Sequence, residues 1–214
     1  MRRIDMQTWP RREHFEFFSA FDHPHFGLCA NLDLTAFYPA VKRRGVSFTV
    51  ATVYVISRAA NAIPEFRQRI RAGVVVEHEV VHPSITILTN EDLFGFCSIE
   101  YAEDFPLFAE RAAQQVAIAR EEPKVENEPE RDDFLFMTAI PWVSFTSFMH
   151  PLPSHPADSI PRFAWGKFFE EGGLLKMPLG VQAHHALMDG IHVGRFYADV
   201  QEHLQRPGAL LGDS

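Results

Sequence analysis

Near its C-terminus the chain reads Val181-Gln-Ala-His184-His185-Ala-Leu-Met-Asp189-Gly190-Ile-His192. An imidazole followed four residues later by a carboxylate and a glycine is an arrangement suited to a general base. Histidine titrates near neutrality, so it can take up a proton and return it at cellular pH. The glycine admits backbone conformations that a Cβ forbids. His184, His185, Asp189 and His192 can also be read as a metal cluster. Adjacent side chains on a strand point to opposite faces, which disfavours shared ligation by His184 and His185, and no metal is expected.

The elements around this stretch must place it. Leu174 to His184 reads as a strand, the histidines and Asp189 as a tight turn, and Gly190 to Gln205 as the final helix. Upstream, Pro10 suits the first turn of a short helix. Gly27 to Leu34 alternates as a strand. Asp33 or Thr35 can cap a helix that runs to Arg44 and ends at Gly45. Ser47 to Ile63 is apolar at helical spacing and predicts a buried helix. Val74 to His78, Ser84 to Leu88 and Leu93 to Tyr101 are β-branched or aromatic runs bounded by turn residues, and predict strands. Asp104 to Glu122 predicts a long amphipathic helix. Phe134 to Trp142 and Arg162 to Phe169 predict further strands, the latter joined to Leu174 through Glu170-Glu-Gly-Gly173. Between them lie two loops, an acidic one from Pro123 to Asp133 and one from His150 to Pro161 with four prolines. His23-Pro-His25 reads as loop residues without a role. The pattern predicts an α/β fold in one domain spanning 1–214.

Composition narrows the function. The chain has 214 residues, a formal charge of -8 and a hydrophobic share of 46%. An acidic chain lacks the basic surface that nucleic acid requires. No apolar run approaches the roughly 20 residues that span a bilayer, and the first residues lack a signal peptide's apolar stretch. Cys29 and Cys97 form neither a disulfide framework nor a metal-binding spacing. A cytoplasmic protein is expected. The 20 phenylalanines predict an aromatic core.

Five motifs together resemble the chloramphenicol O-acetyltransferase family of the trimeric His-His-x-x-x-Asp-Gly type. They are Trp9-Pro-Arg-Arg-Glu-His-Phe-Glu-Phe-Phe18, Pro64-Glu-Phe-Arg67, Pro141-Trp-Val-Ser-Phe-Thr-Ser-Phe148, Gly166-Lys-Phe168, and His184-His-Ala-Leu-Met-Asp-Gly-Ile-His-Val-Gly-Arg-Phe196. They run from about Trp9 to about Leu204. The resemblance implies the CoA-dependent acyltransferase fold: a two-layer sandwich of a mixed, mostly antiparallel sheet with helices packed on it. It implies direct acetyl transfer from acetyl-CoA, as co-substrate and not a bound cofactor, to a small hydroxyl-bearing acceptor, with chloramphenicol foremost. His185 would be the general base, the Ser147 hydroxyl the oxyanion donor, and Asp189 with Arg11 a structural ion pair. Lys167 would lie near the CoA phosphates and Phe168 against the adenine. Phe18 and Phe94 would face the acceptor. A homotrimer with active sites between subunits is implied as well.

The chain departs from the family pattern at three places. Ala164 stands where the family has a threonine that helps hold a water, Phe18 replaces a tyrosine, and His150 to Ile160 bears little likeness. The acceptor is therefore less constrained than the chemistry. Two other classes share parts of the pattern. The dihydrolipoamide acyltransferase core uses a similar His-x-x-x-Asp-Gly, but its usual lipoyl and peripheral-binding domains do not appear in this sequence. A non-catalytic trimeric scaffold would keep the fold without needing His185.

Overall fold

The computed structural model describes residues 1–89, 91–125, 131–153 and 157–211. Parts of both expected loops, 126–130 and 154–156, lie outside the described residues.

The backbone is built from strand β1 (Arg2–Arg3), α1 (Arg12–Ser19), β2 (His25–Asp33), α2 (Phe37–Arg43) and α3 (Phe48–Ala62). A 3-10 turn (Pro64–Arg67) leads to β3 (Gln68–Arg71), β4 (Val74–Glu77), β5 (His82–Leu88), β6 (Phe94–Ser98) and α4 (Phe105–Glu121). Then come β7 (Phe134–Ile140), β8 (Arg162–Gly166), β9 (Phe169–Glu171), β10 (Leu174–His184), α5 (Gly190–Gln205) and α6 (Pro207–Leu211).

The main sheet runs β2-β10-β8-β7-β5-β6, with β9 also on β10. It is mixed. β5, β7 and β8 are parallel neighbours, while β2, β8 and β9 pair antiparallel to β10, and β6 to β5. One face is apolar by alternation. Ile85, Leu135, Met137, Phe163, Trp165, Leu179 and Val181 join Val53, Ile56, Phe108 and Phe196 from α3, α4 and α5 in one core. Much of the phenylalanine complement is spent there, in Phe37, Phe66, Phe105, Phe108, Phe163 and Phe196. Among the described residues no helix packs on the other face.

The helices begin where the sequence supplies acceptors. The Ser47 hydroxyl accepts the Val50 N–H, and Asp104 accepts the Leu107 N–H at 3.0 Å, each worth about 1 kcal/mol. Two expected caps differ. Asp33 accepts the Thr35 N–H at 2.8 Å, forming a turn ahead of α2, whose N-cap is Ala36. Pro10 precedes α1, which starts at Arg12 with Arg11 as its N-cap.

Arg69 is fully buried, yet among the described residues no carboxylate pairs with it. It donates to the carbonyls of Asp132 (2.6 Å), Phe66 (2.9 Å), Gln68 (2.6 Å) and Phe134 (2.6 Å). Burial pushes its pKa down to about 10. The guanidinium thus joins the 3-10 turn and β3 to the start of β7, satisfying carbonyls that would otherwise be buried unpaired.

Candidate active site

β10 delivers the histidines. Met177, Leu179, Val181 and Ala183 pack in the core, so Pro178, Gly180, Gln182 and His184 face the side without helices. Past the strand, Leu187 and Met188 donate to the His184 carbonyl at 3.0 and 3.3 Å. This turn leaves His185 and Asp189 side by side, and α5 starts at Gly190.

Arg11 clamps the turn. Its Nη2 donates to Asp189 Oδ1 at 2.6 Å, and Nη1 donates to Oδ2. The same guanidinium donates to the backbone carbonyls of His185 (2.7 Å) and Ala186 (3.1 Å). The planar fork suits such bidentate pairing, which a point charge does not. These Arg11 hydrogen bonds hold the Asp189 carboxyl below the usual carboxylate range, against partial burial.

His185 Nδ1 lies 3.2 Å from Asp189 Oδ1, off the line of a hydrogen bond, and is otherwise unpartnered. The nearby carboxylate favours a proton on Nδ1 and so a free lone pair on Nε2. Phe18 stacks on the imidazole at 3.9 Å with planes 6° apart, and Phe26 lies at 4.5 Å. The ring is fixed by two aromatics and remains about a third exposed (32%).

His184 turns to the opposite face. Its ring packs edge-on against His25 at 5.0 Å, and its Nδ1 accepts the Ala186 N–H at 3.2 Å. His25 Nε2 is 2.6 Å from the Asp158 carbonyl, so His25 is not an idle loop residue: it ties the 157–160 segment to β2. Burial, and then His25 beside it, push His184 down to about 4. A histidine lowered in the folded state binds its proton more readily when unfolded. Stability is therefore lost as pH falls from about 6.5 toward about 4, by on the order of 3 kcal/mol from this residue. His184→Asn, whose Oδ1 can still accept the Ala186 N–H, is expected to flatten that part of a plot of urea midpoint against pH.

On the same face as His184, a cavity of about 330 Å³ is lined by His25, Phe26, Cys29, Ser147, Phe148 and Gln182, among others. Ser147 is exposed there. Among the described residues no hydrogen bond joins Ser147 to His185. The chain thus assembles His185, Asp189, Arg11 and Phe18 in one place, and among the described residues no contact brings Ser147 to them.

Comparison with known proteins bears on this geometry. The sequence profile of the family described as Chloramphenicol acetyltransferase matches residues 1–201. A chloramphenicol acetyltransferase from Escherichia coli is 34% identical over 201 residues, covering 94% of this chain and 92% of that protein. The chain belongs to the chloramphenicol acetyltransferase family. It is an acyltransferase. A solved chloramphenicol acetyltransferase structure superposes with a TM-score of 0.84 at 28% identity, over 94% of this chain and 98% of the other. A dihydrolipoamide acetyltransferase of Azotobacter vinelandii shares the fold, with a TM-score of 0.68 at 20% identity over 93% and 88% of the two chains.

In this member of the chloramphenicol acetyltransferase family the remaining positions are scattered. Lys167 is exposed, its backbone N–H bound to the Val143 carbonyl at 2.9 Å. Phe168 packs against Tyr38 at 5.0 Å and Phe48 at 6.1 Å, at the rim of the core. Phe94 lies on β6, at the opposite edge of the sheet from β2, and is about half exposed. It does not reach His185 within the chain. Ala164 is buried on β8, opposite Gly180 on β10 and Thr138 on β7.

Gly180 is a position the sequence did not flag. A Cβ there would lie 2.0 Å from the ring of Phe148, next to Ser147. The ring approaches the strand this closely only because the side chain is absent. His150 N–H donating to Gln182 Oε1 at 2.9 Å pins the same loop. Gly180→Ala is expected to lift Phe148, cost about 1–3 kcal/mol by overpacking, and, with Ser147 in the oxyanion role the resemblance implies, lower kcat by up to about 10²-fold. Steady-state kinetics beside a melting curve would separate the two effects. Wild-type kcat with a lowered Tm would remove the loop from the mechanism.

Proposed function

We propose that the protein transfers the acetyl group of acetyl-CoA to a hydroxyl of chloramphenicol, with His185 as the general base. The observation that carries this reading is the imidazole stacked on Phe18 beside an Asp189 clamped by Arg11, in a chain of this family. His185 Nε2 takes the proton of the acceptor hydroxyl as its oxygen attacks the thioester carbonyl carbon. An alcohol is a poor nucleophile until a base is set against it. The Ser147 hydroxyl donates to the oxyanion of the tetrahedral intermediate. As the intermediate collapses, the C–S bond breaks and the imidazolium returns its proton to the departing thiolate. Asp189 orients and takes no proton.

Ser147 lines the cavity on the His184 face, with no contact to His185 among the described residues, so we place it opposite the His185 of a second copy, in a homotrimer with sites between subunits. The helix-free face, with Leu88 and Phe94 about half exposed at its far edge, offers apolar surface for such an assembly. Lys167, exposed and without a side-chain partner among the described residues, would meet the CoA phosphates, and Phe168 offers an aromatic face to the adenine. Phe94 would then line a neighbour's acceptor site. Phe18 is assigned to the acceptor side too, although its face is spent on the imidazole. Cys29 and Cys97 are free thiols, in keeping with a cytoplasmic location.

Release of free thiol from acetyl-CoA, followed at varied chloramphenicol, tests the reaction. Saturable release with an acetyl ester as product supports it. Release that needs another hydroxyl compound would keep the chemistry and replace the acceptor. Sedimentation equilibrium tests the trimer, and a monomer at full activity would sink the shared site.

A further inference from the structure

Two of the motifs far apart in sequence meet behind the catalytic turn. His192, at the third position of α5, reaches back so that its Nδ1 accepts the backbone N–H of Asp189 at 2.9 Å. Its Nε2 faces Glu65 Oε1 of the 3-10 turn at 3.4 Å. The imidazole is 13% exposed. Asp189 is thereby held twice, by Arg11 at its carboxylate and by His192 at its backbone.

The acceptor role constrains His192. A ring nitrogen accepts only without a proton, so Nδ1 must be bare and the single N–H must sit on Nε2, toward Glu65. Protonation would set a donor against the Asp189 N–H. Burial disfavours the charged form. Of the charges facing the ring, Glu65 and Asp189 favour the proton, while Arg11 and Arg195 oppose it.

We propose that His192 is a positioning residue for acetyl transfer: as the neutral Nε2–H tautomer, oriented by Glu65, it fixes the Asp189 backbone and so the placement of His185. The assignment rests on the reading of His185 as the base. It links the Pro64-Glu-Phe-Arg67 motif, which touches no substrate in that reading, to the reacting centre.

Three variants and a spectrum test it. His192→Ala is expected to lower kcat about 10- to 100-fold, with KM for acetyl-CoA and acceptor changed by less than about twofold. His192→Asn, whose Oδ1 can accept from Asp189, is expected to recover most of kcat. Glu65→Ala should cost less than about fivefold. Equal, near-wild-type kcat in the alanine and asparagine variants would overturn the proposal. So would equal loss in both, which marks simple structural damage. If the wild type transfers no acetyl group to any acceptor, the base reading fails, and nitrogen-15 NMR of the histidine rings still decides the tautomer. A bare Nδ1 and a protonated Nε2 on His192 support the geometry, and a proton on Nδ1 overturns it.

Discussion

His185→Ala is expected to lower kcat for acetyl transfer by about 10²- to 10⁴-fold, the usual contribution of one positioned general base. KM for acetyl-CoA should stay within about threefold, since the imidazole acts on the acceptor proton and not on the bound nucleotide. The fold should survive. The ring is about a third exposed and its Nδ1 has no hydrogen bond to lose. The main loss is the stack on Phe18, worth about 0.5–1.5 kcal/mol. Thiol release and a melting curve, measured on the same preparations, therefore give a large effect in one and a small effect in the other. A variant that keeps wild-type turnover would move the base elsewhere. A wild type without turnover would favour the trimeric scaffold. A catalytic loss accompanied by an equal collapse of stability would say that His185 supports the turn and nothing more.

The proposed base was readable in the sequence because its signal is local. An imidazole, a carboxylate and a glycine within six residues declare a turn between the strand and helix that flank them. Gly190 as the first residue of α5 and Gln205 as its last were legible from periodicity and composition alone. The long helices α3 and α4 were legible for the same reason, each with a capping side chain at its start. The β3–β4 hairpin was only half legible. β3 is four residues with two arginines, and its turn places Ala72 at φ 47° ahead of Gly73 at φ 77°. The usual Asn-Gly or Asp-Gly signal for such a turn is missing. The strand expected from Arg162 to Phe169 is interrupted after Gly166, and β9 restarts at Phe169. The Gly172-Gly173 turn, with φ of 61° and 78°, was visible as paired glycines.

What stayed hidden depends on contacts between distant segments. Nothing in the residues near Gly180 announces that Phe148 lies over it. His25 looked idle until it met His184 and the Asp158 carbonyl. His192 entered only as a member of a possible metal cluster, and Glu65 only as part of the Pro64-Glu-Phe-Arg67 motif. Each acquires a role only once β10, the 3-10 turn and the loop before β8 converge. Ser147 is the opposite case. The resemblance assigns it the oxyanion role, but among the described residues no contact joins it to His185, and the proposed site therefore calls on a second copy.

Arg11→Ala is expected to produce the largest combined loss of stability and activity. The side chain makes four polar contacts, two to the Asp189 carboxylate and two to the carbonyls of His185 and Ala186. Removing one partner of a buried pair costs about 3–5 kcal/mol. Asp189 is a third exposed, so water softens the penalty, and about 2–3 kcal/mol is expected. Activity should fall by about 10²-fold. Without its partner, the carboxylate 3.2 Å from His185 Nδ1 is free to draw the imidazole out of its stack on Phe18. Arg11→Lys should fail to rescue, because a single ammonium cannot bridge a carboxylate and two carbonyls at once. Asp189→Asn should cost less stability than Arg11→Ala, since Arg11 keeps both carbonyls. The double variant should cost less than the sum of the two, with a coupling of about 1–3 kcal/mol. The pH dependence has a definite sign. Arg11 holds the Asp189 carboxyl below its ordinary value, so the pair's contribution is complete above the ordinary carboxylate range and is lost as pH falls through the lowered value. Additive variants, or a lysine that restores kcat, would reduce Arg11 to a surface charge and leave the orientation of His185 to Phe18 and the backbone.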